Sequence, residues 1–413
     1  MNSNMPQLPA EFVLPDYASG TIANIPASIA ALLQIPFDGL PPLRPALWQP
    51  FEGRVRRVVL LLIDSFGWHL FQRQREQLRW LTDRALVLEQ ITSVFPSTTV
   101  AALTSLWTGT APAQHGLVGL RLLFPEQAVL GQMLRFSPNF AAFPNSLVEA
   151  GVDPVDYLPV PSVGQQFARH DVSVYALKGY DIIDSALSRM HDRGLTEERG
   201  IASSSDLFVR LAELLETTAG QPLYVNAYWP KVDALMHRYG PNHPAVAAEL
   251  DTVIYQLRTL LWDTLSPAAR AGTVLFITGD HGQILTDASR TVRPDDHQPL
   301  SELLLMRAAG EPRLPYLYAR QGRQDELLAY LSEHFGHALL PLDSQAALNS
   351  GFLGPVPHAP ASLRRIGDLM AVMRHNYLWL HQSEAVKVDR MSGRHGGLTA
   401  AEMQVPWLGI PLD

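Results

Sequence analysis

Three aliphatic runs do most to limit what this chain can fold into. Val58-Val-Leu-Leu-Leu-Ile63 stops at Asp64, Leu223-Tyr-Val-Asn-Ala-Tyr-Trp229 stops at Pro230, and Val274-Leu-Phe-Ile-Thr278 stops at Gly279-Asp280-His281. Near-continuous hydrophobicity without polar alternation marks strands covered on both faces. Helical stretches fall between them: Thr99 to Trp107, Ser204 to Glu216, Pro244 to Leu261 and Pro299 to Ala308. This alternation predicts an α/β fold with a mainly parallel sheet. In such sheets reactive groups gather beyond the carboxyl ends of the strands, which is where Asp64, Asp280 and His281 fall.

Residues 1–50, rich in proline and small apolar side chains, read as an N-terminal arm packed on the core, with one short helix from Ala27 to Leu33. Residues 51–413 read as one domain carrying a small elaboration at about 290–385. There, strand-like Leu314 to Ala319, a helix near Asp325 to Phe335, a proline-dotted segment from Leu340 to Pro360 and a strand from Gly367 to Met373 break the earlier pattern. Arg54, Arg56 and Arg57 read as an exposed strand edge. The densest apolar run is far short of the roughly 18 residues that span a membrane, and Met1 to Gln7 lack a basic start with an apolar run behind it. A cytoplasmic chain that stays off the membrane is expected.

With no cysteine in 413 residues, thiolate nucleophiles, disulfides and iron–sulfur clusters are excluded, and a metal would have to be held by His, Asp or Glu. Against 40 acidic residues stand 32 basic ones, a net charge of −8, and only Lys178, Lys231 and Lys387 are lysines. No stable nucleic-acid partner is expected from that balance. Asp64 ends a strand, where an acidic residue also serves as a turn or cap. Pro96-Ser97-Thr98-Thr99 precedes Val100, Leu103, Leu106 and Trp107 at helical spacing, so Thr98 and Thr99 lie at a helix N-terminus, which favours an anion and equally suits a simple cap. Asp233 and His237, four apart, share a helical face and suit a divalent cation; such a pair is also common on ordinary surfaces. Asp280-His281 also reads as a cap, and His395, between Gly393 and Gly396-Gly397, implies either a tight turn or close backbone approach.

Together and in order, these pieces resemble the nucleotide pyrophosphatase/phosphodiesterase, or type I phosphodiesterase, branch of the alkaline phosphatase superfamily. The matching stretches are Leu-Leu-Ile-Asp64, Phe-Pro-Ser-Thr-Thr99 with Thr108-Gly109 and His115-Gly116, Asp233-x-x-x-His237-x-x-Gly240-Pro241, Thr278-Gly-Asp280-His281-Gly282, and His395-Gly-Gly-Leu-Thr leading to Glu402-Met403. The resemblance implies an alkaline phosphatase-like core, a mostly parallel central sheet between helical layers. It also implies two divalent metal ions, zinc or alternatively manganese. Asp233, His237 and His395 would take one; Asp64, Asp280, His281 and the Thr99 hydroxyl would take the other. Thr99 rather than Thr98 is the implied nucleophile, forming a covalent phosphothreonine, and the implied activity is hydrolysis of phosphodiester or pyrophosphate bonds in a small phosphate ester or nucleotide. Two such ions suit an in-line displacement.

The family's phosphodiesterases commonly follow the nucleophile with Phe-Pro-Asn, where this chain has Val100-Ala101-Ala102. That departure leaves room for a phosphomonoesterase on the same core, with Lys or Arg near the phosphate. Lys231 and Arg394, beside implied ligands, and then Lys178 and Arg121 are the candidates. His115 reads as structural, His69 as packing, Asp295-Asp296-His297 as a helix cap, and Tyr228 and Trp229 as core. A sulfatase lacks its Cys/Ser-x-Pro-x-Arg motif here, a serine-hydrolase elbow is absent, and so is a P-loop. Competent residues at every implied position oppose a non-catalytic binding relative. The oligomeric state stays open.

Overall fold

The structure is a computed structural model that describes residues 8–382 and 391–413. The first seven residues of the predicted arm and the end of the predicted 290–385 elaboration lie outside the described residues. Seven strands form the central sheet, in the order Val87–Thr92, Gln404–Pro411, Thr273–Thr278, Arg57–Ile63, Leu223–Trp229, Ser173–Gly179, Glu197–Ile201. The last five are parallel, and Gln404–Pro411 is antiparallel to both of its neighbours. All three predicted strands are present, and every one of their residues is buried. Successive side chains point to opposite faces, so Val58, Leu60 and Leu62 enter one apolar cluster while Val59, Leu61 and Ile63 enter the other. That two-sided burial is the reason these runs show no polar alternation.

Arg57 corrects the expectation of an exposed arginine edge: it is 1% exposed. Its guanidinium donates to Leu215 O at 2.7 Å, Ala269 O at 2.6 Å and Thr218 Oγ1 at 2.9 Å. Both carbonyls lie near the C-terminal ends of helices, Ser204–Thr217 and Pro267–Arg270, where no intrahelical partner is left for them. Arg54 and Arg56 are exposed.

The elaboration is a second, wholly antiparallel sheet in the order Leu339–Asp343, Leu369–Met373, Leu314–Leu317, Ala309–Glu311, Arg121–Phe124, Val129–Gln132, Ser137–Pro138. Three of its strands come from well before residue 290, because Gly310 pairs with Arg121. The proline-dotted segment holds the strand Leu339–Asp343 and the helix Ser344–Asn349. The helix expected to reach Ala308 ends at Leu303, and Leu304 then bridges to Ala319. The arm contributes the helix Ile25–Leu32. No helix among the described residues is long and apolar enough to cross a membrane.

Candidate active site

Parallel strands bring their carboxyl ends to one edge of the sheet. Arg57–Ile63 delivers Asp64 there, Thr273–Thr278 delivers Asp280 and His281, and Leu223–Trp229 leads into the helix Lys231–Tyr239, which carries Asp233 and His237. The turns pack without room for side chains: a Cβ on Gly279 would stand 2.4 Å from Phe66 O, and one on Gly393 2.4 Å from Met236 O. Close backbone approach is therefore the role of that glycine beside His395. Ser65, with φ of +63°, turns the chain so that its amide donates to Asp280 Oδ1 at 3.0 Å and its hydroxyl to Asp233 Oδ1 at 2.8 Å.

Three histidines crowd together: His237 and His395 meet through Nε2, and the His281 ring stacks on that of His395 with centroids 3.8 Å apart. His237 Nδ1 is 2.8 Å from Gly393 O, His395 Nδ1 is 3.1 Å from Ser97 O, and His281 Nδ1 is 3.1 Å from Gly282 O. A carbonyl only accepts, so each Nδ1 carries a hydrogen, which leaves Nε2 as the ring nitrogen that could take a cation. Yet His395 Nε2 and His237 Nε2 are 3.2 Å apart, and Asp233 Oδ1 lies 3.4 Å from the second and 3.8 Å from the first. Around His281 Nε2 lie Asp280 Oδ2 at 3.3 Å, Asp64 Oδ1 at 3.6 Å and Thr99 Oγ1 at 3.1 Å. The two carboxylate oxygens aimed at it, Asp64 Oδ1 and Asp280 Oδ2, are buried and accept no hydrogen bond. Acceptors crowded on acceptors repel unless a cation sits among them. Tetrahedral ligands about 2.0–2.2 Å from a zinc stand roughly 3.3–3.6 Å apart, close to both sets of spacings. The two sets adjoin, since Asp233, His281 and His395 also offer ligand atoms within 4.8 Å of one another.

The titration directions follow from this crowding. Burial first, then Asp280 and Asp233, pushes the Asp64 carboxyl well above its ordinary range, and burial raises Asp280. Burial, with His281 and His237, holds His395 well below the usual imidazole value, so it stays neutral. Burial and the Asp64 carboxylate keep Tyr228 protonated, and its hydroxyl donates to Asp64 Oδ2.

Thr99 opens the helix Thr99–Thr108, and no side chain caps that helix. The simple cap that would also have suited Thr98 and Thr99 is not made; the loop is tied further off instead, Ser97 Oγ donating to Gly397 O at 2.7 Å and Thr98 Oγ1 to Glu311 Oε1 at 2.8 Å. The loop carrying His395 is further held by Glu402, which accepts from Gly397 N at 2.9 Å and forms a fully buried pair with Arg313, also at 2.9 Å. Thr98, Thr99, Asp233, His237, Arg394 and His395 open onto a cavity of about 1210 Å³, together with Arg121, Arg307 and Glu311.

All seven residues expected to act as ligands or nucleophile, Asp64, Thr99, Asp233, His237, Asp280, His281 and His395, come together here. Of the four cations expected at the phosphate, Arg394 and Arg121 line the cavity and the two lysines do not. Lys231 is exposed, and Lys178 is buried in ion pairs with Glu198 at 2.7 Å and Asp192 at 2.5 Å, away from the cavity lining. His115 is structural, as expected: Leu117 N donates to its Nδ1, and its Nε2 meets Ser105 Oγ at 3.1 Å. Burial pushes it down to about 3. Ser65, Gln283 and Glu311 escaped the sequence reading. Gln283 donates to Asp233 Oδ1 at 2.6 Å, and its only signal is adjacency to Asp280-His281-Gly282.

The family described as type I phosphodiesterase / nucleotide pyrophosphatase matches residues 58–398. The chain belongs to this type I phosphodiesterase/nucleotide pyrophosphatase family. Among relatives of this phosphodiesterase family member, human ectonucleotide pyrophosphatase/phosphodiesterase family member 5 is 22% identical over 288 residues, covering 67% of this chain and 54% of the relative. An uncharacterized pyrophosphatase/phosphodiesterase of Schizosaccharomyces pombe is 22% identical over 252 residues, covering 59% and 48%. The chain thus spans about half the length of these curated relatives. Murine ectonucleotide pyrophosphatase/phosphodiesterase 5, solved as an inactive threonine-to-alanine form with AMP, has a TM-score of 0.63 at 18% identity, covering 86% of this chain and 87% of the other. Phosphonoacetate hydrolase from Sinorhizobium meliloti, solved with phosphonoformate, has the same TM-score and identity, covering 86% and 90%. At these identities the structural matches show the shared fold. Within the phosphodiesterase family, this member's Ala102 is buried and brings no polar group to the cavity.

Proposed function

We propose that this protein is a two-metal phosphoesterase that cleaves phosphodiester or pyrophosphate bonds of a small phosphate ester or nucleotide through a phosphothreonine on Thr99. The observation that carries this reading is the pair of adjoining acceptor clusters with the Thr99 hydroxyl at the edge of one. Asp233, His237 and His395 would hold one ion, and Asp64, Asp280, His281 and the Thr99 hydroxyl the other. When bound, the two ions, zinc or manganese, supply Lewis acidity and offset the charge of carboxylates and phosphate.

The chain's own groups would divide the remaining work. Thr99 Oγ attacks phosphorus, forming a P–O bond as the bond to the departing oxygen breaks, and its proton leaves through the open cavity. The uncapped helix start and the Arg394 guanidinium orient the phosphoryl oxygens. Water then adds to phosphorus, the bond to Thr99 Oγ breaks, and the hydroxyl is restored, so that the net reaction is addition of water across one P–O bond. Tyr228 and Gln283 orient Asp64 and Asp233 by donating to them. The AMP of the murine neighbour and the phosphonoformate of the bacterial one favour a small phosphoryl compound as substrate.

The test is hydrolysis of bis-p-nitrophenyl and p-nitrophenyl phosphate by chelator-treated protein titrated with zinc or manganese, with bound metal counted in parallel. Faster cleavage of the diester is expected. Preference for the monoester would favour the phosphomonoesterase alternative, for which Arg394 speaks. Thr99→Ala should lose on the order of 10³-fold or more in kcat and still bind metal; undiminished turnover would overturn the nucleophile assignment.

A further inference from the structure

Thr98 has the backbone of a helix cap and does not cap. Its φ of −134° and ψ of 146° are the extended values of an N-cap residue, and the helix Thr99–Thr108 begins at the next position. From there a threonine hydroxyl ordinarily accepts from the second or third helical amide, here that of Val100 or Ala101. Instead Thr98 Oγ1 donates to Glu311 Oε1 at 2.8 Å, and in that rotamer it accepts nothing from its own helix. Ser97 is turned away as well, its Oγ donating to Gly397 O at 2.7 Å.

Glu311 comes from the other sheet, at the end of the strand Ala309–Glu311, and is 3% exposed. Its Oε1 also accepts from Leu120 N at 2.7 Å. Gly396, beside His395, packs so closely that a Cβ there would stand 3.0 Å from Glu311 Cβ and Cγ. The carboxylate is thus fixed from two sides and cannot follow the Thr98 hydroxyl, so one rotation of Thr98 decides between Glu311 and the cap. A hydroxyl donating to a carboxylate makes about twice as strong a bond as one between neutral groups, which favours the tie to Glu311. Thr98, Thr99, Val100 and Glu311 all line the cavity. The helix start left without a cap therefore opens onto the space where the phosphoryl group of the proposed reaction would sit, and backbone amides there suit its oxygens.

We infer that Glu311 is a positioning residue: by holding the Thr98 hydroxyl off its own helix, it keeps the amides of Val100 and Ala101 for the phosphoryl oxygens of the substrate. This rests on the phosphoesterase reading and deepens it, since it assigns the group that keeps the phosphate site beside Thr99 open.

The test is a double-variant cycle on the zinc-supplemented protein, read as kcat/KM on whichever nitrophenyl ester the unaltered protein cleaves faster and as calorimetric affinity for inorganic phosphate. Glu311→Leu lets the Thr98 hydroxyl turn back and cap, so kcat/KM should fall about a hundredfold and phosphate affinity about tenfold. Removing the hydroxyl as well should undo both losses, and Glu311→Leu/Thr98→Val should match Thr98→Val alone. Both leucine variants leave Leu120 N without its acceptor, so the structural part of the change is common to the single and the double. Glu311→Gln keeps an oxygen for Thr98 and Leu120 and should retain most of the rate. Thr98→Asn reaches the capped state with Glu311 in place, since asparagine is a strong cap; it should lose as much as Glu311→Leu and serves if the leucine protein does not fold. A double variant no better than Glu311→Leu, a Glu311→Leu protein with undiminished rate and phosphate affinity, or a Thr98→Asn protein as active as Thr98→Val would each overturn the inference. The phosphoesterase reading fails by a different result, absence of turnover by the unaltered protein on both nitrophenyl esters with either metal, while phosphate affinity across the same variants still reads the role of Glu311, so the two failures are distinguishable.

Discussion

Replacing Asp280 by asparagine separates a metal ligand from a structural acceptor, because the two roles predict opposite signs. Asp280 Oδ1 accepts from Ser65 N at 3.0 Å and His281 N at 2.9 Å, and an asparagine oxygen can keep both bonds. Oδ2 accepts none and faces His281 Nε2 and the Asp64 carboxylate, with ligand atoms of all three within 4.8 Å of one another. Two like charges at that separation repel by about 3–4 kcal/mol at an effective dielectric constant of about 20. The metal-free fold meets this cost either as repulsion or as uptake of a proton, and the unfolded chain at pH 8 meets neither. Asp280→Asn should therefore stabilise the chelator-treated protein, by about 2 kcal/mol once part of the charge is already relieved by protonation. At about 2.1 cal/mol/K per residue, a chain of 413 residues unfolds with an entropy of about 0.9 kcal/mol/K, so the metal-free Tm should rise by about 2–3 °C.

Zinc should reverse the order. Removing an anionic ligand weakens that site by about a hundredfold or more, which at saturating zinc takes away roughly 2.7 kcal/mol of stabilisation. Scanning calorimetry at pH 8, with and without zinc, reads both quantities in one set of samples. A lower Tm for the metal-free variant together with an unchanged response to zinc would refute the argument, and Asp280 would then be a buried hydrogen-bond acceptor only.

Three further outcomes are expected. Tyr228→Phe removes the donor to Asp64 Oδ2 while leaving the core filled, so zinc affinity measured by calorimetry should fall 10–100-fold with little change in the metal-free Tm. Arg313→Met leaves Glu402 fully buried without its cation and should cost about 3–5 kcal/mol, about 3–6 °C in a thermal melt, along with weaker metal binding, because Glu402 also holds Gly397 beside the His395 loop. Burial, opposed by Lys178, holds Asp192 up at about 7 against an ordinary 3.8; its folded pKa being the higher, the stability linked to it is complete below the ordinary carboxylate range and is lost as pH rises through about 7. Asp192→Asn should flatten that slope in urea melts run from pH 4 to 8, and an equally steep slope in the variant would count against it.

The parts of the site that were legible in the sequence are those whose signal is local. Asp64 and Asp280 end strands so completely buried that their apolar runs break only at the sheet edge, and a parallel sheet then puts both ends on one side. Thr99 is legible because a helix start is written in adjacent residues. What was missed depends on partners far off in the chain. Arg57 reads as surface by its charge, yet its surroundings are set by carbonyls 158 and 212 residues away. Lys178 reads as a phosphate ligand only until the fold brings Asp192 and Glu198 to it. The second sheet is the extreme case: Arg121–Phe124 and Val129–Gln132 have four residues each, too few for a period of two to register. They become a sheet because Ala309–Glu311, some 190 residues later, supplies an edge to pair with. The chemistry divides along the same line. The parallel sheet and the segments that follow its strands carry most of the candidate ligands that the motifs record, and the antiparallel sheet carries Glu311 and Arg121, which no motif records.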